Sequence, residues 1–316
     1  MTARYSSAAT QNDQRFGLII ALCAATLFST KPILIKWLYS LGVEVLPLIW
    51  LRMAMALPFY LIMGYLAWAR LASKPATRHL LKAASIGLLG YYLSSVLDLY
   101  GLQYVSAQLE RLVLYAYPSM VVILGMLFFG QTFKAAIILP LLITYGGLAL
   151  MYGHDMDMLA AVPGVNNDQL MMGAGLVLSA ALTFACYLLF SKNSIRQLGS
   201  ILFTCIAMTS ATLAILVHQR VDSWLTGVDY PLVPEYSATI WLGIAALAII
   251  ATVLPSFLIS AAIARIGPER TSMSGTIGPV ATTALAVIFL GESLSLLSIA
   301  GMALVVFGVW RLSQIK

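Results

Sequence analysis

Six ionisable side chains stand inside long apolar stretches of the chain: Lys31, Lys36, Arg52, Asp98, Glu110 and Arg111. A charge held within a bilayer costs roughly 2.5–3.5 kcal/mol on insertion scales, so such groups are candidates for function before anything else is known. Lys31 lies about 15 residues into its run, roughly 22 Å along a helix. Pro32 follows it, and a proline there frees a backbone carbonyl and bends a helix. The Lys31 ammonium either faces a cavity or pairs structurally with Asp98. The Arg52 guanidinium fork suits a carboxylate or phosphate; the plainer alternative is a buried structural pair. Glu110 and Arg111 have the chemistry of a gate or a proton-exchanging carboxylate, or that of an interfacial pair at a helix start. Lys36 has a stem long enough to carry its charge out to the headgroups. Together these are four positive and two negative groups. That surplus points to an anionic group, carboxylate or phosphate, on a ligand.

Glu269 and Arg270 form a second adjacent acid–base pair. They suggest a gate opposite the Glu110–Arg111 one, with a solvated loop pair as the alternative. Phe28 and Lys31 share a helix face, as do Phe184 and Tyr187 further on. Tyr91, Tyr92, Tyr115 and Tyr117 add a polar-aromatic wall that suits an amino acid or small cation. Each aromatic has packing or lipid contact as its alternative, and Trp50 and Trp68 read as interface anchors. Glu292 after Gly291 reads as a favourable acid at the N-terminus of the helix that follows it.

These groups must be positioned by membrane helices. The 316 residues are 61% hydrophobic and only 9% charged, against about 25% charge in soluble domains. That balance excludes a soluble enzyme, a nucleic-acid binder and a disordered chain. The net charge of +6 comes from positives spread between apolar segments, where they set orientation. Ten apolar runs are expected as helices: 16–38, 46–69, 80–102, 106–129, 133–153, 170–191, 198–218, 237–262, 271–290 and 294–314. The first is too long for a cleavable signal core and is expected to remain as the first span. Cys23, Cys186 and Cys205 sit in apolar runs and read as buried hydrophobes. No metal or cofactor is expected.

With the N-terminus in the cytoplasm, ten alternating spans put Arg4, Arg15, Arg70, Lys74, Arg78, Lys82, Lys134, Lys192, Arg196, Arg265, Arg270, Arg311 and Lys316 inside. Arg220 alone falls outside. The positive-inside rule favours this orientation, with both termini cytoplasmic. The halves also repeat. Pro118 and Pro279, Gly130 and Gly291, and Gly147 and Gly308 are each 161 residues apart, as are Phe128 with Phe289 and Ile138 with Ile299. Five spans per half is an odd number, so the second half enters the membrane inverted, as in many secondary transporters. The expected division is 1–156 and 170–316 as two five-helix repeats, with 157–169 as an outer linker.

The order and spacing of these residues resemble the drug/metabolite transporter superfamily, in its EamA-type ten-helix members. Gly101 to Ala107 is similar to the family's turn between helices 3 and 4. Pro118 and Phe128-Phe129-Gly130 follow, then Pro279 and Phe289-Leu290-Gly291-Glu292, then Gly301 and Gly308. Leu51-Arg52 and Lys36 stand where the family often carries Arg and Lys. Two departures are Phe28-Ser29 for Trp-Gly and Gln131 for a first-half Glu. The resemblance implies a carrier of small metabolites, often an exporter of amino acids or related compounds. It also implies a central cavity lined by helices 1, 3, 4, 6, 8 and 9.

The expectation is therefore an all-α integral protein of the cell membrane, with two inverted five-helix repeats and both termini cytoplasmic. It would move carboxylate-bearing metabolites by alternating access. Lys31, Arg52, Phe28, Asp98, Tyr115, Phe184 and Tyr187 would bind substrate. Glu110, Arg111, Glu269 and Arg270 would gate or couple to protons. The expected partners are a small-molecule substrate, the lipid bilayer and protons as candidate coupling ion, with no nucleic acid, in a monomer or homodimer. The alternative is an intramembrane lipid- or metabolite-modifying enzyme. It lacks support in sequence, since His79, His154 and His218 form no HExxH and no GxSxG elbow occurs. A sensor or scaffold would need a soluble effector domain, which the tail after the last run does not suggest.

Overall fold

The computed structural model describes residues 11–130, 135–159, 166–292 and 294–314. Gln131, Arg4, Lys134, Lys316 and residues 160–165 of the 157–169 linker lie outside the described residues, as do the side chains of His154, Asp155 and Asp157. Every regular element described is helical. We number the apolar helices α1 (Asp13–Ser40), α2 (Val45–Ala69), α3 (Thr77–Gly101), α4 (Ala107–Phe128), α5 (Ala135–Tyr152), α6 (Asn167–Leu198), α7 (Ser200–Thr226), α8 (Ala238–Met273), α9 (Gly278–Leu290) and α10 (Leu296–Leu312). The first eight are long and apolar enough to cross a membrane, while α9 and α10 are shorter. Each falls on one of the ten apolar runs. The main difference is α8, which continues to Met273 rather than stopping near 262. Gly267, at φ +80, breaks it, and Pro268 opens a last helical turn.

Backbone chemistry repeats at the 161-residue offset. Pro118 and Pro279 each stand near the start of the second part of an interrupted helix. In α4 the interruption is Tyr115–Ala116; in the second half it is the tight turn Ser274–Thr276. Proline fits there because an N-terminal helical position has no N–H to lose. Gly130 (φ +67) and Gly291 (φ +65) both close their helices in the left-handed conformation, which costs other residues roughly 1–2 kcal/mol. One wide π turn interrupts α3 at Leu88–Leu93 and another interrupts α8 at Ile249–Val253. Side chains follow the same rule: Phe128 is 71% exposed and Phe289 69%, facing where lipid would lie.

Helices α5 and α10 pack directly. A Cβ on Gly147 would sit 2.6 Å from the Gly301 carbonyl oxygen, and one on Gly308 would sit 2.8 Å from the Pro140 oxygen. Seven residues back along α5 is thus seven forward along α10, so the repeat-related helices run antiparallel. The remaining contacts exchange in the same way. α1 lies on α8 as α6 lies on α3, and α1 meets α9 as α6 meets α4. This is close packing through small residues, the usual means of holding helices together in lipid.

Candidate functional site

The halves enclose a central cavity of about 80 Å³. α1, α2, α3, α4, α6, α7 and α8 line it, together with the segment leading into α9. The six helices named by the family resemblance are thus joined by α2, through Arg52 and Met53, and by α7, through Met208.

Lys31 owes its place to a break in α1. Thr30 separates Gln11–Ser29 from Lys31–Ser40, and Pro32 stands second in the new segment. The broken ends are held by α9. Ser29 Oγ donates to the Gly278 carbonyl at 3.2 Å, and Thr282 Oγ1 donates to the Ser29 carbonyl at 3.1 Å. Lys31 therefore projects from a fixed discontinuity rather than from a continuous helix. Its ammonium pairs with Asp98 Oδ2, with both side chains buried. Asp98 Oδ1 is buried without a hydrogen-bond partner. Arg52, 3% exposed, and Arg111, 9% exposed, reach the same cavity, and the Nε of each has no partner. Arg111 Nη2 donates to the Ala25 carbonyl at 3.4 Å. Three cations thus face the cavity with Asp98 as the acid among its lining residues.

Glu110 sits behind this wall. It is 1% exposed, and neither of its carboxyl oxygens has a hydrogen-bond partner. Its charged neighbours are Asp98, Lys31 and Arg111. Glu110 and Arg111 do not face each other as a gate pair. Adjacent residues point about 100° apart on a helix, and Arg111 turns into the cavity.

The aromatic residues form the far wall. Phe28, Tyr91, Tyr117 and Phe184 line the cavity. Tyr187 stands one layer back, its hydroxyl 2.9 Å from that of Tyr91 and its ring stacked on Phe184. Tyr115 is also behind the lining, 5.9 Å from the Tyr117 ring, with its hydroxyl donating to the Met273 carbonyl at 3.5 Å. Tyr117 donates to the Ser272 carbonyl at 3.0 Å. Glu269 and Arg270 lie outside the cavity. Arg270 is exposed and its Nη1 donates to Gln14 Oε1 at 3.4 Å, while Glu269 is half-buried in the turn after Gly267.

Sequence reading missed Ser94, Ser95, Thr252, Thr271, Ser272 and Gly275, which also line the cavity. A signal for two of them was available, because the 161-residue offset carries Glu110 and Arg111 onto Thr271 and Ser272. Hydroxyls near apolar positions carry no charge signature, so they passed as ordinary helix residues. Lys36 is not among the cavity residues and neither is Glu110, so the lining keeps three cations against one acid, the same surplus of positive charge inferred above.

Residues 15–153 and again residues 171–314 match the EamA-like transporter family. The chain belongs to that family. The uncharacterized transporter YcbK of Bacillus subtilis (strain 168) is 30% identical over 292 residues, covering 90% of this chain and 88% of that protein. A crystal structure described only as that of a protein covers 94% of this chain and 96% of its own, with TM-score 0.63 and 18% identity. That likeness shows the fold alone. As an EamA-like transporter, the chain is a multi-pass membrane protein, and its family and relative point to the carriage of small molecules rather than to an enzyme.

Proposed function

We propose that this EamA-like transporter is a secondary carrier of small carboxylate-bearing metabolites, exporting amino acids or related compounds from the cell. The observation that supports this reading is the convergence of Lys31, Arg52 and Arg111 on one buried cavity against Asp98. Three cations, two of them guanidiniums with an Nε left unpartnered, are expensive in a membrane interior unless a ligand anion completes them. Phe28, Tyr117 and Phe184 offer an apolar wall for the remainder of the solute. Asp98 and Glu110 are the candidate proton carriers, since one proton shared between them would supply the donor that the bare Glu110 carboxyl lacks.

A cavity of about 80 Å³ is well below the roughly 300 Å³ and more of ordinary ligand sites. An amino acid would enter only as the bundle widens. The breaks in α1 and α4, the π turns in α3 and α8, and the Gly267 kink are the places where helices can bend, and carriers place such breaks at their binding sites. In this reading the ten helices span the cell membrane as two inverted repeats, with both termini cytoplasmic, in a monomer or homodimer.

The test is solute flux in proteoliposomes loaded with amino acids, phosphorylated metabolites and small cations, with and without a pH gradient. One carboxylate solute should leave above the rate of empty liposomes, and Arg52→Gln should abolish that flux. Flux of cations alone, unaffected by Arg52→Gln, would overturn the carboxylate reading.

A further inference from the structure

Glu292 reaches beyond the helix that follows it. It follows Gly291, whose left-handed conformation (φ +65) ends α9, and its carboxylate reaches back across the molecule to the start of α4. The Ala107 backbone N–H donates to Oε1 at 2.7 Å and the Gln108 N–H to Oε2 at 3.2 Å. Ser106 Oγ accepts from the Leu109 N–H at 2.9 Å. The first turn of α4 is therefore closed by one residue of its own half and one of the other, 185 positions away. Helix N-termini leave such N–H groups open, and a carboxylate is the strongest partner for them.

The equivalent position in the other repeat lacks two of these groups. At the 161-residue offset Ala107 becomes Pro268, which has no N–H, and Ser106 becomes Gly267, which has no side chain to cap with. The link is thus built at one end of the bundle, the end that carries the Gly101–Ala107 turn and the Gly291 turn. It holds the turn of α4 that carries Glu110 and Arg111.

We infer that Glu292 is a positioning residue and a latch. Its carboxylate ties the second half to the start of α4, keeps that end of the cavity closed and sets Arg111 toward the solute. The inference rests on the alternating-access reading above. Release of the latch opens the Asp98 end, while Pro268 denies the other end the N–H that Ala107 supplies here.

The test uses the full chain, with its native cysteines replaced, in oriented proteoliposomes without solute. Ser95→Cys, on the cavity wall, is labelled with a membrane-impermeant maleimide from each side. Glu292→Gln, which can no longer accept from both N–H groups, should speed labelling from the Gly291-turn side by roughly tenfold, the scale of one charge-assisted hydrogen bond. Ser106→Ala weakens the same helix start without touching the cross-link and should leave the labelling ratio between sides unchanged. Glu292→Asp should restore part of the asymmetry. Equal labelling in Glu292→Gln and its parent would overturn the latch while leaving the carrier reading intact. An equal shift in Ser106→Ala would mean that Glu292 only stabilises the helix. Labelling from neither side in any background would remove alternating access, and the latch with it.

Discussion

Where the first half places Asp98, Glu110 and Arg111, the second half at the same offset places Ile259, Thr271 and Ser272. The same contrast holds on α1 and α6, where Lys31 follows Phe28 and Tyr187 follows Phe184. One half contributes charge to the cavity. The other half lines it with the hydroxyls of Thr252, Thr271 and Ser272 and, among the described residues, with no charge, while Ser94 and Ser95 add hydroxyls from the first half. The backbone differs less. The π turns at Leu88–Leu93 and Ile249–Val253, the interruptions before Pro118 and Pro279 and the left-handed Gly130 and Gly291 recur at matching positions, while the Thr30 break in α1 has no counterpart in the continuous α6. Repetition therefore preserves the geometry that lets helices bend and pack, while the electrostatics are free to differ between copies. Among the described lining residues, charge therefore comes from the first half alone and meets the neutral hydroxyls of the second.

The sharpest way to break this comparison is to remove its charge. Lys31→Ala leaves Asp98 buried and unpaired, and losing one partner of a buried pair costs about 3–5 kcal/mol. Flux should vanish and the thermal midpoint in detergent should fall. The Lys31→Ala/Asp98→Ala double variant should recover much of the stability but none of the flux. Recovered flux would show that the pair only holds α1 against α3.

A smaller effect probes the shared backbone. Gly147→Leu and Gly308→Leu each drive a side chain into the facing helix, and overpacking costs about 1–3 kcal/mol. Thermal unfolding should show similar losses for the two. Gly175→Leu, with nothing within 4 Å of its Cβ position, should be nearly neutral. A large difference between the Gly147 and Gly308 variants would argue against equivalent halves.

The smallest effect is expected among the second-half hydroxyls. Thr271→Val removes a cavity hydroxyl that donates to the Gly267 carbonyl at 2.7 Å. A neutral hydrogen bond is worth about 0.5–1.5 kcal/mol, so apparent affinity in flux assays should weaken by a few-fold at most. A loss as large as that of Lys31→Ala would place the solute's recognised group against the second half.

Much of the fold was legible because lipid leaves a chain few choices. A spanning segment must satisfy its own backbone hydrogen bonds and present apolar side chains, so ten helices could be marked from hydropathy alone. Pro118, Pro279, Gly130, Gly291, Gly147 and Gly308 were readable because proline and glycine report backbone constraint directly. Lys31, Arg52, Asp98 and Arg111 were readable because charge in an apolar run is costly. Glu269 and Arg270 stand outside the cavity lining, and the same cost argument does not reach them, because a charged pair next to a turn costs little.

Thus the amino-acid order by itself determined the helices, the bend at Pro32, the repeat and the charged groups, since these follow from local backbone chemistry and from the cost of charge in lipid. Only the tertiary structure decided that Tyr115, Tyr187 and Glu110 stand behind the cavity wall, that Thr252, Thr271 and Ser272 stand in it, and that Glu292 closes the start of α4. Those facts depend on which face of each helix meets which neighbour. That choice is set by close packing at contacts such as Gly147 with Gly301, between residues far apart in the chain.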